Sequence, residues 1–459
     1  MQTTVDTIAA ISTAIAPSGI GIIRISGEDA FQIASKIFVP KNKKNIEEVK
    51  SHTIHYGHIV DENKVIDEVL LTIMKGPRTY TGEDTAEINC HGGVLSMTKI
   101  LETVIKYGAR VAEPGEFTKR AFLNGRIDLS QAEAVMDIIN AKSNYALKSS
   151  LSQLKGSVLE KIKEIRQKII YHIAYIESAL DDPEHISIDG YGEKLLKDII
   201  SVENKIEKLI HSTEEGKIIS EGIKTVIVGK PNAGKSSLLN FLIGEERAIV
   251  TEIEGTTRDS LEETIVLEGI SLRIIDTAGI RKTEDIVEQI GVNRAREFIK
   301  DADLVLYVVD GSKVLDNNDK EIIELIKEKK VITILNKNDL DMVINKEEIL
   351  KNVDKPIVSI SAKEKEGLEL LEKEIKRMFF HGELDFNDEV IITNMRHKTE
   401  LLEAKKSLDM VKESISMDMP EDFYSIDLMN AYECLGKIIG ESLGEDLVNE
   451  IFSKFCTGK

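Results

Sequence analysis

One short segment, residues 229–236, constrains the fold of this chain more than any other part of its sequence. It runs Gly-Lys-Pro-Asn-Ala-Gly-Lys-Ser, follows the apolar residues 225–228 and precedes a helical pattern. A strand, a GxxxxGK[ST] loop and a helix in this order form a phosphate-binding loop, whose backbone N–H groups face phosphate oxygens. Lys235 is expected to act on the β- and γ-phosphates, and the Ser236 hydroxyl is expected to coordinate Mg²⁺. The segment therefore predicts a nucleoside triphosphate site on an α/β fold.

Two segments farther along the chain select guanine as the base. Asn-Lys-Asn-Asp at 336–339 follows an apolar run, and Ser-Ala-Lys occupies 361–363. The Asp339 carboxylate can accept two hydrogen bonds from guanine N1 and N2, which adenine does not offer, and the second segment supplies a backbone donor for guanine O6. ATP is the alternative, and it leaves the pair Asn336 and Asp339 without a role. The two segments therefore predict GTP.

Two more segments belong to the phosphates and the metal. In Asp-Thr-Ala-Gly at 276–279, Asp276 can hold Mg²⁺ through water, and the Gly279 N–H can contact the γ-phosphate. In Gly-Thr-Thr-Arg-Asp at 255–259, Thr257 is predicted to be the second hydroxyl on Mg²⁺. The predicted GTP-binding residues are Asn232, Ala233, Gly234, Lys235, Ser236, Ser237, Thr251, Glu252, Ile253, Glu254, Gly255, Thr256, Thr257, Asp276, Thr277, Ala278, Gly279, Asn336, Lys337, Asp339, Ser361 and Ala362.

The residue after the Asp-x-x-Gly segment bears on how GTP would be hydrolysed. Ras-type enzymes place a glutamine there to orient the attacking water, but this chain has Ile280, which cannot polarise water. The motif set is therefore similar to that of translation-factor-like GTPases. Asn232 is suited to coordinate a monovalent cation beside the phosphates. Glu288 is a candidate for positioning the attacking water through a second water, and the alternative for it is a solvated acid at a helix start.

The chain divides into four stretches of different texture. Residues 1–120 show β-branched runs between glycines, as in an α+β domain, and residues 121–220 change to helical periodicity. Residues 221–378 contain continuous apolar strands separated by helical segments, which indicates a parallel α/β sheet. Residues 379–459 return to charged helices. We expect the two helical stretches to form one discontinuous all-α domain with the α/β unit inserted into it.

Periodicity also predicts individual elements. Strands are predicted at 21–27 and 68–74, and a helix at 93–107. After residue 380, one long helix is predicted over 387–416 and another over 426–455. Five isoleucines at three- and four-residue spacing predict the buried face of a helix: Ile162, Ile165, Ile169, Ile173 and Ile176.

Composition excludes several classes of protein. The chain of 459 residues has 60 Lys and Arg against 80 Asp and Glu, a net charge of −20, so any contact with nucleic acid needs a local basic patch. Its three cysteines cannot form a disulfide framework, which favours a reducing compartment and a cytoplasmic protein. No run approaches the ~20 apolar residues that span a bilayer, so no membrane segment is expected.

Segments outside the GTP-binding motifs carry a resemblance to one family. They are Gly-Ile-Ile-Arg-Ile-Ser-Gly at 21–27, Tyr-Thr-Gly-Glu-Asp at 80–84, Cys-His-Gly-Gly at 90–93, the run 114–126 that begins Pro-Gly-Glu-Phe-Thr-Lys-Arg, and the terminal Phe-Cys-Thr-Gly-Lys. With the domain order, which extends over essentially the whole chain, they resemble the MnmE (TrmE) family of bacterial and organellar tRNA-modification GTPases. The GTP motifs alone would not separate this family from ribosome-assembly relatives.

The resemblance implies an architecture, partners and an activity. It implies an N-terminal folate-binding domain that also dimerises, a discontinuous helical domain and an inserted Ras-like G domain. Family members form homodimers and work with the flavoprotein MnmG, which implies a heterotetramer. The pair adds a (carboxymethyl)aminomethyl group to C5 of the wobble uridine of tRNA, with a one-carbon unit from 5-formyl- or methylene-tetrahydrofolate. Because this chain is acidic, MnmG is expected to provide much of the tRNA contact.

The resemblance also assigns roles at the GTP site. Hydrolysis in the family depends on K⁺ and on dimerisation of the G domains, which accounts for the absence of a catalytic glutamine. The implied K⁺ ligands are Asn232, Thr251, the Ile253 carbonyl and Thr256. The catalytic glutamate of the family matches Glu288, and Lys235 is the second residue to which a catalytic role is assigned.

A last group of roles concerns folate and the C-terminus. Glu87 matches the acceptor for the amide-like edge of the pteridine, Arg24 and Arg126 match cations for the anionic glutamyl tail, and Lys459 would close the pocket. Taken singly, Arg24 and Arg126 are better explained as solvated residues at a strand end and at a turn, but the context of the three motifs reverses this and favours the folate role. For Cys456 both a direct covalent role in the modification step and a positional role stay open, because the sequence does not show the low pKa that a nucleophile needs.

Two other functions are compatible with the GTP motifs. One is an RNA- or ribosome-assembly GTPase that does no chemistry on a base, and the other is a GTP-regulated aminomethyltransferase that acts on a protein-bound carrier. Binding of a reduced folate would separate the first from a tRNA-modifying enzyme. Analysis of tRNA nucleosides would separate the second.

Overall fold

The structure is a computed structural model, and it describes residues 6–458 apart from 43–44, 188–189, 245–262, 276–295, 345–348, 350–352, 381–389 and 442. The chain forms two compact units. One unit comprises Met1–Met136, Gln153–Glu177 and Ser425–Lys459, and the other comprises Asp137–Ser152 and Ser178–Tyr424. The four predicted domain ranges, 1–120, 121–220, 221–378 and 379–459, stay predictions.

The first unit contains a seven-stranded sheet. Its strands are β1 (Ile8–Ile11), β2 (Ser18–Ser26), β3 (Phe38–Pro40), β4 (Thr53–Asp61), β5 (Lys64–Met74), β6 (Thr85–Gly92) and β7 (Arg110–Val111). The strand order is β3-β4-β5-β6-β2-β1-β7, and only the pair β1 and β7 is parallel. In β2, Ile23 and Ile25 are fully buried while Arg24 between them faces the other side of the sheet. The predicted strands 21–27 and 68–74 are thus present within β2 and β5.

Helices cover one face of this sheet. They are α1 (Ala30–Ile37) and α2 (Val94–Lys106), and α3 (Glu116–Leu123) and α4 (Leu129–Asn140) follow along the chain. Ile33 of α1 and Ile100 of α2 share one hydrophobic core with Ile23 and Leu71 of the sheet. The helix predicted over 93–107 is therefore confirmed as α2, whose apolar side chains recur at helical spacing and fill the space above the strands.

Further helices continue the chain: α5 (Asn144–Leu154), α6 (Ser157–Asp181) and α7 (Tyr191–Glu221). All five isoleucines of the predicted helical face are buried on α6, with exposed fractions of 2% or less. A stripe at this spacing is buried because side chains three and four residues apart lie on the same side of a helix. The sequence prediction for this helix is confirmed.

A second sheet lies in the other unit. Its strands are β8 (Ile223–Val228), β9 (Glu263–Leu267), β10 (Ile270–Ile274), β11 (Leu304–Asp310), β12 (Val331–Asn336) and β13 (Ile357–Ser359), in the order β13-β12-β11-β8-β10-β9. All pairs are parallel except β9 with β10. Every residue of β11 and β12 is buried, as the continuous apolar runs predicted. Helices α8 (Lys235–Gly244), α9 (Asn317–Ile326) and α10 (Leu368–Phe380) accompany this sheet.

The first C-terminal helix begins later than predicted. Helix α11 spans Met395–Ser416, whereas the prediction began at residue 387, and the described residues 390–394 before it are not helical. The Asn394 side chain accepts a hydrogen bond from the Arg396 N–H and so caps the helix. The start was misjudged because Val390, Ile391 and Ile392 before the cap are apolar like the buried face of a helix, and only the cap geometry marks the boundary.

The second C-terminal prediction, a single helix over 426–455, was wrong. The chain forms two helices, α12 (Glu421–Ile439) and α13 (Glu445–Ser453). They are interrupted at Gly440, which has φ +90° and ends α12 in the left-handed region. A Cβ at this glycine would lie 2.6 Å from the Phe122 ring, so close packing also demands a glycine here. In the described part of the chain, none of the helices is long and apolar enough to cross a bilayer.

Candidate functional site

The phosphate-binding loop joins β8 to α8 as its sequence predicted. The loop starts at Gly229 with φ +153° and turns into the helix at Gly234 with φ +102°, a backbone region that favours glycine. A Cβ on Gly234 would lie 2.0 Å from Nδ2 of Asn336. Glycine is required there for both its backbone angle and the closeness of that amide. The N-terminal turn of α8 therefore stands directly behind the loop, where its N–H groups favour an anion.

Lys235, the first residue of α8, is held inside the loop. Its ammonium donates to the carbonyl oxygens of Gly229 at 2.7 Å and Lys230 at 2.8 Å. Burial lowers the pKa of Lys235. A cation that is partly removed from water and held by two neutral carbonyls gains from a nearby phosphate, because it lacks a carboxylate partner among these contacts. Ser236 and Ser237 follow it in the first turn of the same helix.

Asn336, at the end of β12, ties three of the predicted segments together. Its Nδ2 donates to the Ala233 carbonyl at 3.0 Å, and its Oδ1 accepts from the Ala362 N–H at 3.1 Å. The side chain is buried. Both polar ends of the amide thus bind protein backbone, so Asn336 fixes the phosphate loop against the Ser-Ala-Lys segment. Recognition of the base by Asp339 stays a prediction.

Asp339 is presented with one carboxylate oxygen already bound. The Ser361 hydroxyl donates to Asp339 Oδ1 at 2.6 Å, and this hydrogen bond lowers the pKa of the carboxyl group. Lys337, two residues earlier, donates to the Asn232 carbonyl at 3.1 Å and to Asp310 Oδ2 at 2.7 Å. The Asp339 carboxylate is therefore ionised and oriented, and Lys337 holds the phosphate loop through the Asn232 carbonyl. An ionised, oriented carboxylate is compatible with the two hydrogen bonds predicted from guanine.

Thirteen predicted site residues lie outside the described residues. They are Thr251, Glu252, Ile253, Glu254, Gly255, Thr256, Thr257, Asp276, Thr277, Ala278, Gly279, Glu288 and Lys459. The second Mg²⁺ ligand, three of the four K⁺ ligands and the catalytic glutamate are among them, so their roles stay predictions.

A second group of predicted residues meets in the first unit, on the sheet face opposite the hydrophobic core. Arg24 on β2 and Glu87 on β6 are direct partners in the strand register, so their side chains share one face. Arg24 Nε donates to Glu87 Oε1 at 2.8 Å, and both side chains are mostly buried. The two residues assigned to opposite ends of a folate thus form an ion pair with each other.

Two aromatic residues that the sequence analysis did not single out complete this cluster. The guanidinium carbon of Arg24 lies 5.3 Å from the centroid of the Tyr80 ring and 5.6 Å from that of Phe117. Arg126 lies 5.0 Å from the same Tyr80 ring. Tyr80 therefore links the two predicted arginines by cation–π contacts. Its signal was present in the Tyr-Thr-Gly-Glu-Asp segment, but spacing alone does not show which residue of that segment faces a site.

The C-terminal tail is seated beside this cluster. The Gly458 carbonyl accepts from the Ser12 hydroxyl at 3.1 Å and from Arg24 Nη1 at 3.5 Å. Gly458 has φ +90°, and a Cβ there would lie 2.4 Å from the Ile11 carbonyl. The Cys456 carbonyl accepts from the Gly115 N–H at 3.2 Å. Gly458 therefore contacts Arg24, one of the residues assigned to folate. The role predicted for Lys459 at this site stays a prediction.

The cysteines differ in exposure. Cys456 is exposed, whereas Cys90 is buried and burial raises its pKa to about 11. A thiol that ionises only at such a pH is inert near neutrality, so Cys90 packs in the core as a small apolar side chain. Of these two, only Cys456 is accessible to a substrate.

The longest family-like segment, residues 114–126, contributes structure more than chemistry. Arg120 is 2% exposed and donates to Glu116, Glu83 and Asp6. Burial of Glu116 works against its charge, but hydrogen bonds from Arg110, the Glu113 N–H and Arg120 outweigh burial and lower its pKa. The ion pairs of Glu116 and Arg120 attach the segment to Arg110 of β7 and to Asp6. Loss of one partner would leave a buried charge uncompensated, so these residues are expected to stabilise the fold.

Comparison with protein families and with known proteins agrees with this geometry. The family model described as "GTP-binding protein TrmE N-terminus" matches residues 7–126, and the model described as "MnmE helical domain" matches residues 129–456. Proteins named tRNA modification GTPase MnmE are 59% identical in Lachnoclostridium phytofermentans, 52% in Thermoanaerobacter pseudethanolicus and 50% in Clostridioides difficile, each over 99% of both chains. A solved G domain of the T. maritima FeoB iron transporter covers 33% of this chain and 96% of its own, with 30% identity and a TM-score of 0.26.

Two of these findings decide the family. The helical-domain model alone spans more than half of the chain, and the relatives match it from end to end at half identity or more. The N-terminal domain, the helical domain and the G domain of the predicted fold are all accounted for. The chain belongs to the MnmE family of tRNA modification GTPases.

Proposed function

We propose that this GTP hydrolase uses nucleotide turnover to drive a folate-dependent modification of tRNA, at C5 of the wobble uridine. The observation that carries the nucleotide part is the joint placement of Lys235, Asn336 and Asp339 by contacts that join the phosphate loop to both guanine-binding segments. The full-length relatives carry the tRNA part, because each is named a tRNA modification GTPase.

At the nucleotide, this chain's own residues bind and orient. Asp339, ionised and held by Ser361, accepts hydrogen bonds from the two guanine N–H groups. The Lys235 ammonium has three N–H donors and uses two of them on loop carbonyls, so the third can donate to a phosphate oxygen. Ser236 and Thr257 would hold Mg²⁺, and Asn232 with Thr251, Ile253 and Thr256 would hold K⁺. When bound, Mg²⁺ and K⁺ would neutralise the charge that develops on the phosphates. Glu288 would hold the attacking water in line.

The arrangement around Asn232 is compatible with a cation ligand. Asn232 has φ +61°, and its own carbonyl accepts from Lys337. The carbonyl of this residue is therefore used inside the protein, which leaves the side-chain amide oxygen as the group that would coordinate K⁺. Dependence of hydrolysis on K⁺ over Na⁺ tests this role, and equal rates in the two salts would reject it.

At the second cluster, the proposed ligand is 5-formyl- or methylene-tetrahydrofolate, which supplies the one-carbon unit when bound. Arg24 and Arg126 both place guanidinium groups against the Tyr80 ring and would bind the anionic glutamyl tail. Glu87 offers a carboxylate to the pteridine edge. Binding requires the pteridine to share Glu87 with Arg24, since the two are paired. Lys459 would close over the site, and the seating of Gly458 beside Arg24 supports that.

Cys456 lies three residues before that terminus. Its thiol is exposed and its carbonyl is fastened to Gly115, so the backbone is fixed while the side chain is accessible. This supports a role at the modification step, and both forms of that role, covalent and positional, stay open. A Cys456→Ser variant that keeps tRNA modification would remove the covalent form.

The proposed assembly follows the family. The chain would form homodimers through its N-terminal domain and combine with MnmG as a heterotetramer in the cytoplasm, and K⁺-dependent hydrolysis would occur when the G domains dimerise. The net charge of −20 supports a division of labour in which MnmG makes much of the contact with tRNA. Tight binding of tRNA by this chain alone at physiological salt would contradict that division.

Analysis of tRNA nucleosides from cells with and without this gene product tests the whole proposal. We expect wobble uridines to lose their C5 substituent in its absence. A titration of purified protein with 5-formyltetrahydrofolate is the second measurement, because an assembly GTPase has no reason to bind a reduced folate. Unchanged wobble uridines, or a protein that ignores the folate, would contradict the corresponding part.

A further inference from the structure

Two lysines that contact the phosphate-binding loop are paired with carboxylates from one stretch of chain, residues 310–319. Lys337 pairs with Asp310 and belongs to the guanine-binding segment already described. Lys230 is the second residue of the loop itself, and it pairs with Asp316 and Asp319. None of the roles proposed above uses this second pair.

The side chain of Lys230 is held firmly. Its ammonium lies 2.6 Å from Asp319 Oδ2 and 2.9 Å from Asp316 Oδ2. Asp319 is only 1% exposed, and the hydroxyl of Tyr307, a fully buried residue of β11, donates to its other oxygen at 3.0 Å. Burial works against the charge of Lys230, but the hydrogen bonds to Asp319 and Asp316 outweigh burial and raise its pKa. The pair is therefore charged, largely desolvated and bonded on both carboxylate oxygens, which is the setting in which a charge pair is rigid.

The carboxylates themselves are fixed by the start of helix α9. Asp316 caps the helix by accepting from the N–H groups of Asn318 and Asp319, and the Asp319 carboxylate accepts in return from the Asp316 N–H. This reciprocal capping box leaves the two acids little freedom. Lys230 is thus attached to the end of a helix and not to a mobile surface group.

The backbone of the same residue touches the catalytic lysine. The Lys230 carbonyl accepts from Lys235 Nζ at 2.8 Å and from the Ala233 N–H at 3.3 Å. Because the side chain and the carbonyl of Lys230 share one backbone position, the carboxylate that anchors the side chain also sets where that carbonyl points. The contact chain runs from Tyr307 through Asp319 and Lys230 to the ammonium of Lys235.

We propose that Asp319, supported by Tyr307, is a positioning residue for GTP hydrolysis that acts on Lys235 through Lys230. A charge that stabilises a transition state must be held to within about 0.5 Å of its productive place by neighbours that are themselves fixed. The loop glycines cannot provide this, because they are chosen for backbone freedom. The Lys230–Asp319 pair restrains the loop at Lys230. The Lys337–Asp310 pair restrains it at Asn232, whose carbonyl accepts from Lys337.

The test uses the full-length chain with Lys230→Met, which keeps an unbranched side chain one heavy atom shorter and removes its charge. Lys235 stabilises the charge that develops on the phosphates in the transition state more than it stabilises bound GTP. We therefore expect kcat for GTP to fall about tenfold while KM changes less. Lys230→Arg, which can bridge both carboxylates, is expected to restore most of kcat. Lys313→Met is the matched control, since Lys313 lies on the same stretch, is 64% exposed and has its ammonium 4.0 Å from Asp310.

A double-mutant cycle with Asp319→Asn separates positioning from stability. Both single variants and the double variant are assayed well below their melting temperatures, and we expect the double variant to lose no more kcat than either single one. Three results would overturn the proposal. The first is a double variant whose loss of kcat is the product of the two single losses. The others are a Lys230→Met kcat within twofold of wild type and no recovery of kcat in Lys230→Arg. If Asp319→Asn does not fold, the Met and Arg variants decide. The inference rests on GTP hydrolysis, and a wild-type protein without turnover would sink the proposed function instead.

Discussion

The phosphate loop and the cluster around Arg24 are built in opposite ways. The loop is shaped by its own short segment, as in the hydrogen bonds from Lys235 to the carbonyls of that loop. Around Arg24, the partners come from strands and loops far apart in the chain, with Glu87 63 residues away and Gly458 434 residues away. Local chain geometry creates the phosphate loop, and strand register creates the ion pair in the cluster around Arg24.

The difference has a consequence for substitution. A contiguous loop that depends on backbone angles tolerates almost no change at its glycines, whereas a cluster made by side-chain contacts loses affinity one contact at a time. Four variants test this contrast, and the expected effect decreases from the first to the last.

The largest effect is expected from Asp339→Asn. The amide has one acceptor where the carboxylate has two, so at least one charge-assisted hydrogen bond to guanine is lost and a donor faces a donor. We expect GTP affinity to fall about a hundredfold or more, and XTP, which has an oxygen at C2, to bind better than GTP. Fluorescent nucleotide titration measures both. Asp341→Asn, an exposed acid two residues on, is the control, and an unchanged GTP affinity in Asp339→Asn would remove this residue from base recognition.

Gly234→Ala should come next, with a loss of GTP affinity of about tenfold. The backbone has φ +102°, which costs an alanine ~1–3 kcal/mol, and the new Cβ would meet the Asn336 amide. That clash would also part the loop from the Ser-Ala-Lys segment, so the melting temperature should fall. Gly244→Ala, at the end of α8 where no described residue comes within 4 Å of an added Cβ, is the matched variant. Equal behaviour of the two variants would show that the loop is less constrained than its geometry indicates.

Tyr80→Leu should weaken 5-formyltetrahydrofolate binding by roughly fivefold. It removes two cation–π contacts, to Arg24 and Arg126, worth ~0.5 kcal/mol each at partly exposed sites, while GTP affinity should not change. Isothermal calorimetry measures the folate affinity. Tyr56→Leu removes a comparable contact with Lys41 elsewhere on the sheet and serves as the control. An unaffected folate affinity in Tyr80→Leu would separate the ring from the ligand.

The smallest effect is a shift in pH dependence from Ser361→Ala. The Ser361 hydroxyl stabilises ionised Asp339 and lowers its pKa, so guanine binding is present at neutral pH and is lost as the pH falls through that lowered pKa. Without the hydroxyl the pKa returns toward its usual value, and the loss should begin at a higher pH. GTP titrations from about pH 2.5 to pH 6 locate the midpoint, because both expected midpoints lie near or below the usual pKa of an aspartate, with Ser359→Ala at the end of β13 as the comparison. A midpoint that moves down would contradict the assigned cause.

How far the sequence predicted these features depended on the range of the interactions. The phosphate loop, helix α2 and the isoleucine stripe of α6 were predicted correctly because their patterns extend over a few neighbouring residues. The break between α12 and α13 was missed, since Gly440 ends the helix where the Phe122 ring packs against it, and Phe122 is far away in sequence. Tyr80 and Phe117 were missed for the same reason.

The sequence alone determined that this chain carries a phosphate loop, a guanine-selecting pair of segments and an α/β sheet of buried strands, because each is encoded by adjacent residues and the backbone they impose. Only the tertiary structure decided that Asn336 binds backbone at both ends of its amide, that Arg24 faces Glu87, and that Lys230 is anchored to the start of α9. Those contacts depend on strand register and packing between distant segments, and their energies exist only once the chain has folded.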